Sequence, residues 1–126
     1  MGASTEHNQD IYAALLDYGG YDTVAANVYN FLTISVWDAT EERFYTGRND
    51  AWNAMDVNPW GILSLGSAFA SSIAYIDANH RISSACPGVD GYDFDSDLGP
   101  RTDGSCTWSG VAKLSSYLAS QRIGFI

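Results

Sequence analysis

The chain has 126 residues, 46% of them apolar and 13% aromatic, which is enough to close one hydrophobic core and points to a single helical domain over residues 1–126. Fifteen acidic residues oppose six basic ones, and Lys113 is the sole lysine, so a net charge of −9 argues against nucleic acid and anionic membranes as partners. No apolar run reaches the roughly 18 residues of a membrane span, and Met1-Gly2-Ala3-Ser4-Thr5-Glu6-His7 has the form of neither a signal peptide nor a myristoylation site.

His7 to Tyr18 carries Ile11, Leu15 and Leu16 at helical spacing and stops at Gly19-Gly20, a pair suited to ending a helix. Asp22 is placed to cap a second helix, in which Val24, Val28, Phe31, Leu32 and Ser35 share one face up to about Trp37. Periodicity is then lost from Asp38 to Asn53, where Phe44-Tyr45, between Glu41-Glu42-Arg43 and Gly47, predicts a short hairpin or an extended loop.

Asn58-Pro59 restores a helix start, with Asn as cap and Pro in the first helical position. From Pro59 to about Ala78, Ile62, Leu65, Phe69, Ile73 and Ile76 form one stripe, and Gly, Ser and Ala fill the other sides. Small residues let neighbouring helices approach closely, so this helix is expected to be continuous and the most buried. Ile82 to Cys106 reads as a loop rich in Gly and Asp, anchored by Tyr92 and Phe94. Thr107 or Ser109 then opens a last helix through Val111, Leu114, Tyr117 and Leu118. The expected fold is mainly α: antiparallel helix pairs, long loops and a short β-hairpin.

Cys86 and Cys106 have no nearby histidine pair and span a loop that a disulfide would stabilise by roughly 3 kcal/mol. A disulfide there favours an oxidising, extracellular or periplasmic location. No metal or other cofactor is expected. Asp93, Asp95 and Asp97 alternate like calcium-loop ligands, but Leu98 and Gly104 stand where that loop needs Gly and Glu. His7 and His80 are isolated in sequence and are expected on the surface.

Three loops pair large aromatic rings with carboxylates: Trp37-Asp38 through Gly47, Trp52 through Asp56 and Trp60, and Tyr92-Asp93-Phe94-Asp95 through Trp108. Aromatic faces stack on the apolar faces of sugar rings while carboxylates accept hydrogen bonds from hydroxyls, so the pairing suits a glycan. Trp52, Trp60, Tyr92 and Trp108 are the candidate stacking rings, with Asp95 beside them. Asp56 and Asp93 are the candidate catalytic carboxylates, since glycoside hydrolysis uses two such groups roughly 5 to 9.5 Å apart.

At these residues the chain resembles a known family. Trp37-Asp38, Arg43-Phe44 and Gly47, followed by Met55-Asp56-Val57-Asn58-Pro59-Trp60-Gly61-Ile62, look like a loop and inner helix of (α/α) toroid proteins of the six-hairpin glycosidase type. Gly91-Tyr92-Asp93-Phe94, and Trp108 with Gly110 and Ala112, are similar to the Gly-Phe-Asp-Phe and Trp-x-Glu-Gly-Thr-Ala segments of that family. The resemblance implies a carbohydrate-active domain, glycoside-hydrolase-like in fold. Ser109 stands where the family has a carboxylate, which implies degenerate catalysis, and the chain is too short for a full toroid. The alternative is a non-catalytic assembly subunit that self-associates through its aromatic loops to complete the truncated ring.

Overall fold

The computed structural model describes residues 3–50, 52–82 and 91–94, with the backbone alone described at Ile82 and Gly91. It is mainly helical. Helix α1 spans Thr5–Tyr18 and α2 spans Asp22–Asn30, continuing as a wide π-helical turn over Phe31–Ser35. Strands β1 (Trp37–Asp38) and β2 (Arg43–Phe44) pair antiparallel, Trp37 opposite Phe44. Helix α3 (Val57–Leu65), a single 3-10 turn (Ser67–Phe69) and α4 (Ser72–Asn79) follow. Strands β3 (Arg81–Ile82) and β4 (Gly91–Tyr92) form a second antiparallel pair.

The α1 terminus behaves as its glycines predict: the Gly19 N–H donates to the Leu15 carbonyl at 3.1 Å, with φ 68° at Gly19 and 78° at Gly20. Its inward face does not. Thr5 and Gln9 are buried and Tyr12 half-buried along one line of the helix, whereas Ile11 and Leu16 are exposed. The helix begins at Thr5 rather than His7 because the chain is anchored there: Thr5 donates its N–H to the Thr46 carbonyl (2.9 Å) and its hydroxyl to the Tyr45 carbonyl (2.5 Å).

The second helix starts at Asp22, preceded by Tyr21, with no side-chain bond at its start, so Asp22 does not cap it as expected. The buried residues along this stretch are Ala25, Leu32 and Val36, while Val24 and Ser35 face outward.

The expected continuous helix from Pro59 to Ala78 is broken at Gly66, which adopts φ 98° and ψ −179°, a region open in practice to glycine alone. The chain reorients there through the 3-10 turn. Ser67, Ala68 and Ala70 are consequently exposed, so the small-residue face between Ser64 and Ser72 is not the buried surface expected. Helix α3 itself is the most enclosed segment, with Val57, Asn58, Pro59, Gly61 and Ile62 buried.

That helix begins at Val57, two residues before Pro59, and Asn58 does not cap it. Its Oδ1 instead accepts the N–H of Phe44 at 2.8 Å, tying α3 to β2. The core is built on this junction from Leu32, Val36, Phe44, Val57, Ile62 and Phe69. Three rings interlock in it: Trp37 lies 4.7 Å from Phe44 and 4.9 Å from Phe69, and Phe44 lies 5.3 Å from Phe69. Gly61 lets the Phe44 ring sit against α3, where a Cβ would meet Cε2 at 2.3 Å.

The stretch from Ile82 onward was expected to be loop; residues 81–82 and 91–92 pair instead, in strands too short to show alternation in sequence. Among the described residues no helix is long and apolar enough to cross a membrane.

Candidate functional site

Thr46, just after β2, organises the loop that leads into α3. Its hydroxyl donates to the Trp52 carbonyl (2.7 Å) and accepts the Ala54 N–H (3.4 Å), while its own carbonyl holds the start of α1. Ala54 and Met55 are buried by this arrangement. The Met55 N–H then donates to the Phe94 carbonyl at 2.8 Å, and the Asp93 N–H donates to the His80 carbonyl at 2.6 Å. These two backbone bonds bring the loop carrying Asp56 to the segment after β4 that carries Asp93, although the two are far apart in sequence.

Asp56 is half-buried at the start of α3, where a carboxylate is favoured by the positive end of the helix dipole. Asp93 is also half-buried, and its Oδ1 accepts the Phe94 N–H at 2.7 Å. Trp52, shortly before Asp56 in sequence, is 57% exposed. Tyr92 donates its hydroxyl to Asp77 of α4. Trp60 is held on α1, where its Nε1–H donates to Asp10 Oδ1 at 2.8 Å. The rings of Trp60 and Tyr92 are therefore held by different helices. Asp95, Asp97, Trp108 and Ser109 lie outside the described residues, as do Cys86 and Cys106.

The structure also assembles a polar cluster that sequence spacing does not reveal. Arg43 is buried, with Nε paired to Glu41 Oε2 at 2.5 Å and its guanidinium 4.3 Å from the Tyr45 ring centroid and 5.3 Å from that of Tyr75. Such stacking is favourable for a weakly hydrated cation. Asn53 donates its Nδ2–H to the Tyr75 hydroxyl. The alternation Glu41, Arg43, Tyr45 in a hairpin was the one hint that these side chains share a face.

Next to Tyr75 lies His80, its ring 6.1 Å away. This histidine is fully enclosed, contrary to the surface position expected of it. It sits where α4 turns into β3, and the β4 segment bonds to its carbonyl, so the hairpin returns against the residue.

Asp38 closes the hairpin loop of β1 and β2. Its Oδ2 accepts the Tyr45 hydroxyl at 2.6 Å and its Oδ1 accepts the N–H groups of Thr40 (2.8 Å) and Glu41 (3.1 Å). The Tyr45 bond first, then the two backbone bonds, hold the Asp38 carboxyl below its usual range, and donation to that carboxylate pushes the Tyr45 phenol up. Both Asp38 and Glu41 thus have structural partners rather than facing solvent alone.

Comparisons with models of protein families, with characterised proteins and with solved structures find no match to this chain.

Proposed function

We propose that this chain is a carbohydrate-active domain, glycoside-hydrolase-like in fold and degenerate in catalysis, with Asp56 and Asp93 as its acidic pair. The observation that supports this most is the Met55 N–H bond to the Phe94 carbonyl, which joins the segment carrying Asp56 to the segment carrying Asp93; Trp52 and Phe94, one on each segment, have exposed side chains. Sugar recognition needs that combination of ring face and hydroxyl acceptor within one ligand's reach. The described helices do not close a ring, so a truncated (α/α) toroid is part of the proposal, as is an extracellular or periplasmic location with Cys86 bonded to Cys106. Absence of free thiol in the oxidised, denatured protein is expected for the latter, and two titratable thiols would overturn it.

The functional test is calorimetric titration with soluble neutral oligosaccharides. Trp52→Ala should weaken binding about fivefold, the equivalent of roughly 1 kcal/mol for a lost stacking contact, without changing the melting temperature. Asp56→Asn and Asp93→Asn should abolish any residual hydrolysis. If the parent protein binds no oligosaccharide, the carbohydrate reading fails.

A second reading is favoured by the outer side of α1 and α2. Leu16 is 57% and Tyr18 86% exposed, and Ile11, Tyr21, Val24 and Ile34 are exposed with them. Apolar surface of this kind suits a non-catalytic assembly subunit that meets further copies. Light scattering at micromolar concentration separates the two, since an assembly subunit should not be monomeric there.

A further inference from the structure

The outer side of α1 carries an apolar row that the described residues leave uncovered. Ile11, Ala14 and Tyr18 recur at i, i+3 and i+7, on one face of the helix, and all three are exposed. Helix α3 packs against α1 and adds to this surface: Trp60 is tied to Asp10 of α1, and Leu63, one turn further along α3, is exposed as well. The face is also acidic. From Ala3 to Asn30 the chain carries Glu6, Asp10, Asp17 and Asp22 and no lysine or arginine, and α3 carries no charged residue. Asp17 stands in the last turn of α1, where the helix dipole disfavours an anion and no basic residue offsets it.

An occupant that matches this face is apolar along one side and basic. A second copy paired about a two-fold axis would set the same carboxylates against each other and bring no cation. The chain's own carboxy-terminal segment has the required character. Residues 107–122, which lie outside the described residues, are the stretch whose sequence predicts the last helix: Val111, Leu114 and Leu118 recur at i, i+3 and i+7, with Tyr117 beside them. Lys113 and Arg122 are the charged residues of this stretch, and no acid stands from Thr107 to Ile126.

The lengths agree. A helix over residues 107–122 is about 24 Å long, against about 21 Å for α1. The last described residue is Phe94, whose carbonyl is held by Met55 just before α3. The twelve residues 95–106 that follow it can span up to about 40 Å, enough to reach either end of α1. We propose that residues 107–122 fold as a helix onto the α1–α3 face, with Val111, Leu114 and Leu118 against its apolar row and Lys113 and Arg122 meeting the acids of α1. The proposal is independent of the carbohydrate reading, and it gives to the chain itself the α1 surface that the assembly reading gives to further copies.

The test uses the full chain with isotope-labelled Ile, Leu and Val methyl groups, mixed with unlabelled protein so that contacts within and between chains are distinguished. Nuclear Overhauser contacts within one chain are expected between the methyls of Ile11 or Leu63 and those of Val111, Leu114 or Leu118. Ile11→Ser and Leu118→Ser should each lower the melting temperature by about 3–5 °C, whereas truncation of an open surface residue would change it little. The double variant should fall no further than the larger single one, because either change releases the segment. The methyl contacts of the parent protein decide the matter if a variant fails to fold. Absence of contacts within the chain, or singly substituted proteins that melt as the parent does, would overturn the proposal. Contacts found only between chains would overturn it too and place a second copy on the face.

Discussion

Helices α1 and α3 pack against each other, yet they turn opposite kinds of side chain inward. On α3 the enclosed residues are largely apolar or small, Val57, Pro59, Gly61 and Ile62, and the fit is steric. On α1 the enclosed residues are Thr5 and Gln9, and the fit is made by hydrogen bonds: Thr5 to Tyr45 and Thr46, and Gln9 Nε2 to the Val57 carbonyl at 2.9 Å. Ile11 and Leu16 of α1 are left outside. Contact alone therefore does not say what holds a helix in place, and the two sides of one interface should respond differently to substitution.

The largest effect is expected at Gly61. Alanine in a helix normally gains up to about 1 kcal/mol over glycine, but here the new methyl would strike the Phe44 ring at 2.3 and 2.8 Å and the Gln9 amide at 3.0 Å. Phe44 cannot yield easily because Trp37 and Phe69 box it. Gly61→Ala should therefore destabilise by about 2 kcal/mol, a fall of about 10 °C in melting temperature. An unchanged or raised melting temperature would show that α3 is not sterically locked.

A smaller effect, with a sign that depends on the replacement, is expected at Gln9. Its Oε1 is buried without a partner while its Nε2 bonds to Val57. Gln9→Ala loses the bond and leaves a gap, and should cost about 1–2 kcal/mol in urea unfolding. Gln9→Leu removes the unpaired oxygen along with the bond and fills the volume, so it should be nearly neutral. Equal losses for both variants would mean that the hydrogen bond itself, rather than filled space, secures α1.

The same contrast explains what was legible in the sequence. Gly19-Gly20 and Asn58-Pro59 marked helix ends correctly to within about two residues, because terminal signals are local. Residues 62, 65, 69, 73 and 76 keep helical spacing across Gly66, so the stripe concealed a break that depends on one residue's φ. The orientation of α1 was illegible because its inward line is polar, and periodicity arguments assume an apolar interior. At the site, the residue types of Asp56 and Asp93 were readable. Their approach rests on backbone bonds from Met55 and to His80, which carry no side-chain signature. Arg43, Asn53 and Tyr75 meet only through tertiary folding.

The smallest expected effect concerns the hairpin that separates the two helical regions, and it is a pH effect. Asp38 has its carboxyl lowered by the Tyr45 hydroxyl and by the N–H groups of Glu41 and Thr40, and Tyr45 has its phenol raised by the same carboxylate. For Asp38, the folded chain holds a proton less readily than the unfolded chain, so its contribution is present above the ordinary carboxylate pKa of about 3.9 and is lost as pH falls through the folded value. For Tyr45 the folded chain holds its proton more readily. That contribution is complete below the ordinary phenol pKa of about 10 and is lost as pH rises through the folded value. One hydrogen bond thus shapes both flanks of the stability curve. Asp38→Asn should flatten both flanks relative to the parent in urea unfolding between about pH 2.5 and 11.5. Tyr45→Phe should remove the alkaline contribution of this bond and only part of the acidic one, because Thr40 and Glu41 still donate to the carboxylate. Identical acid and alkaline slopes in all three proteins would show that this bond does not couple to folding, and that the hairpin is held by the Trp37, Phe44 and Phe69 rings beneath it alone.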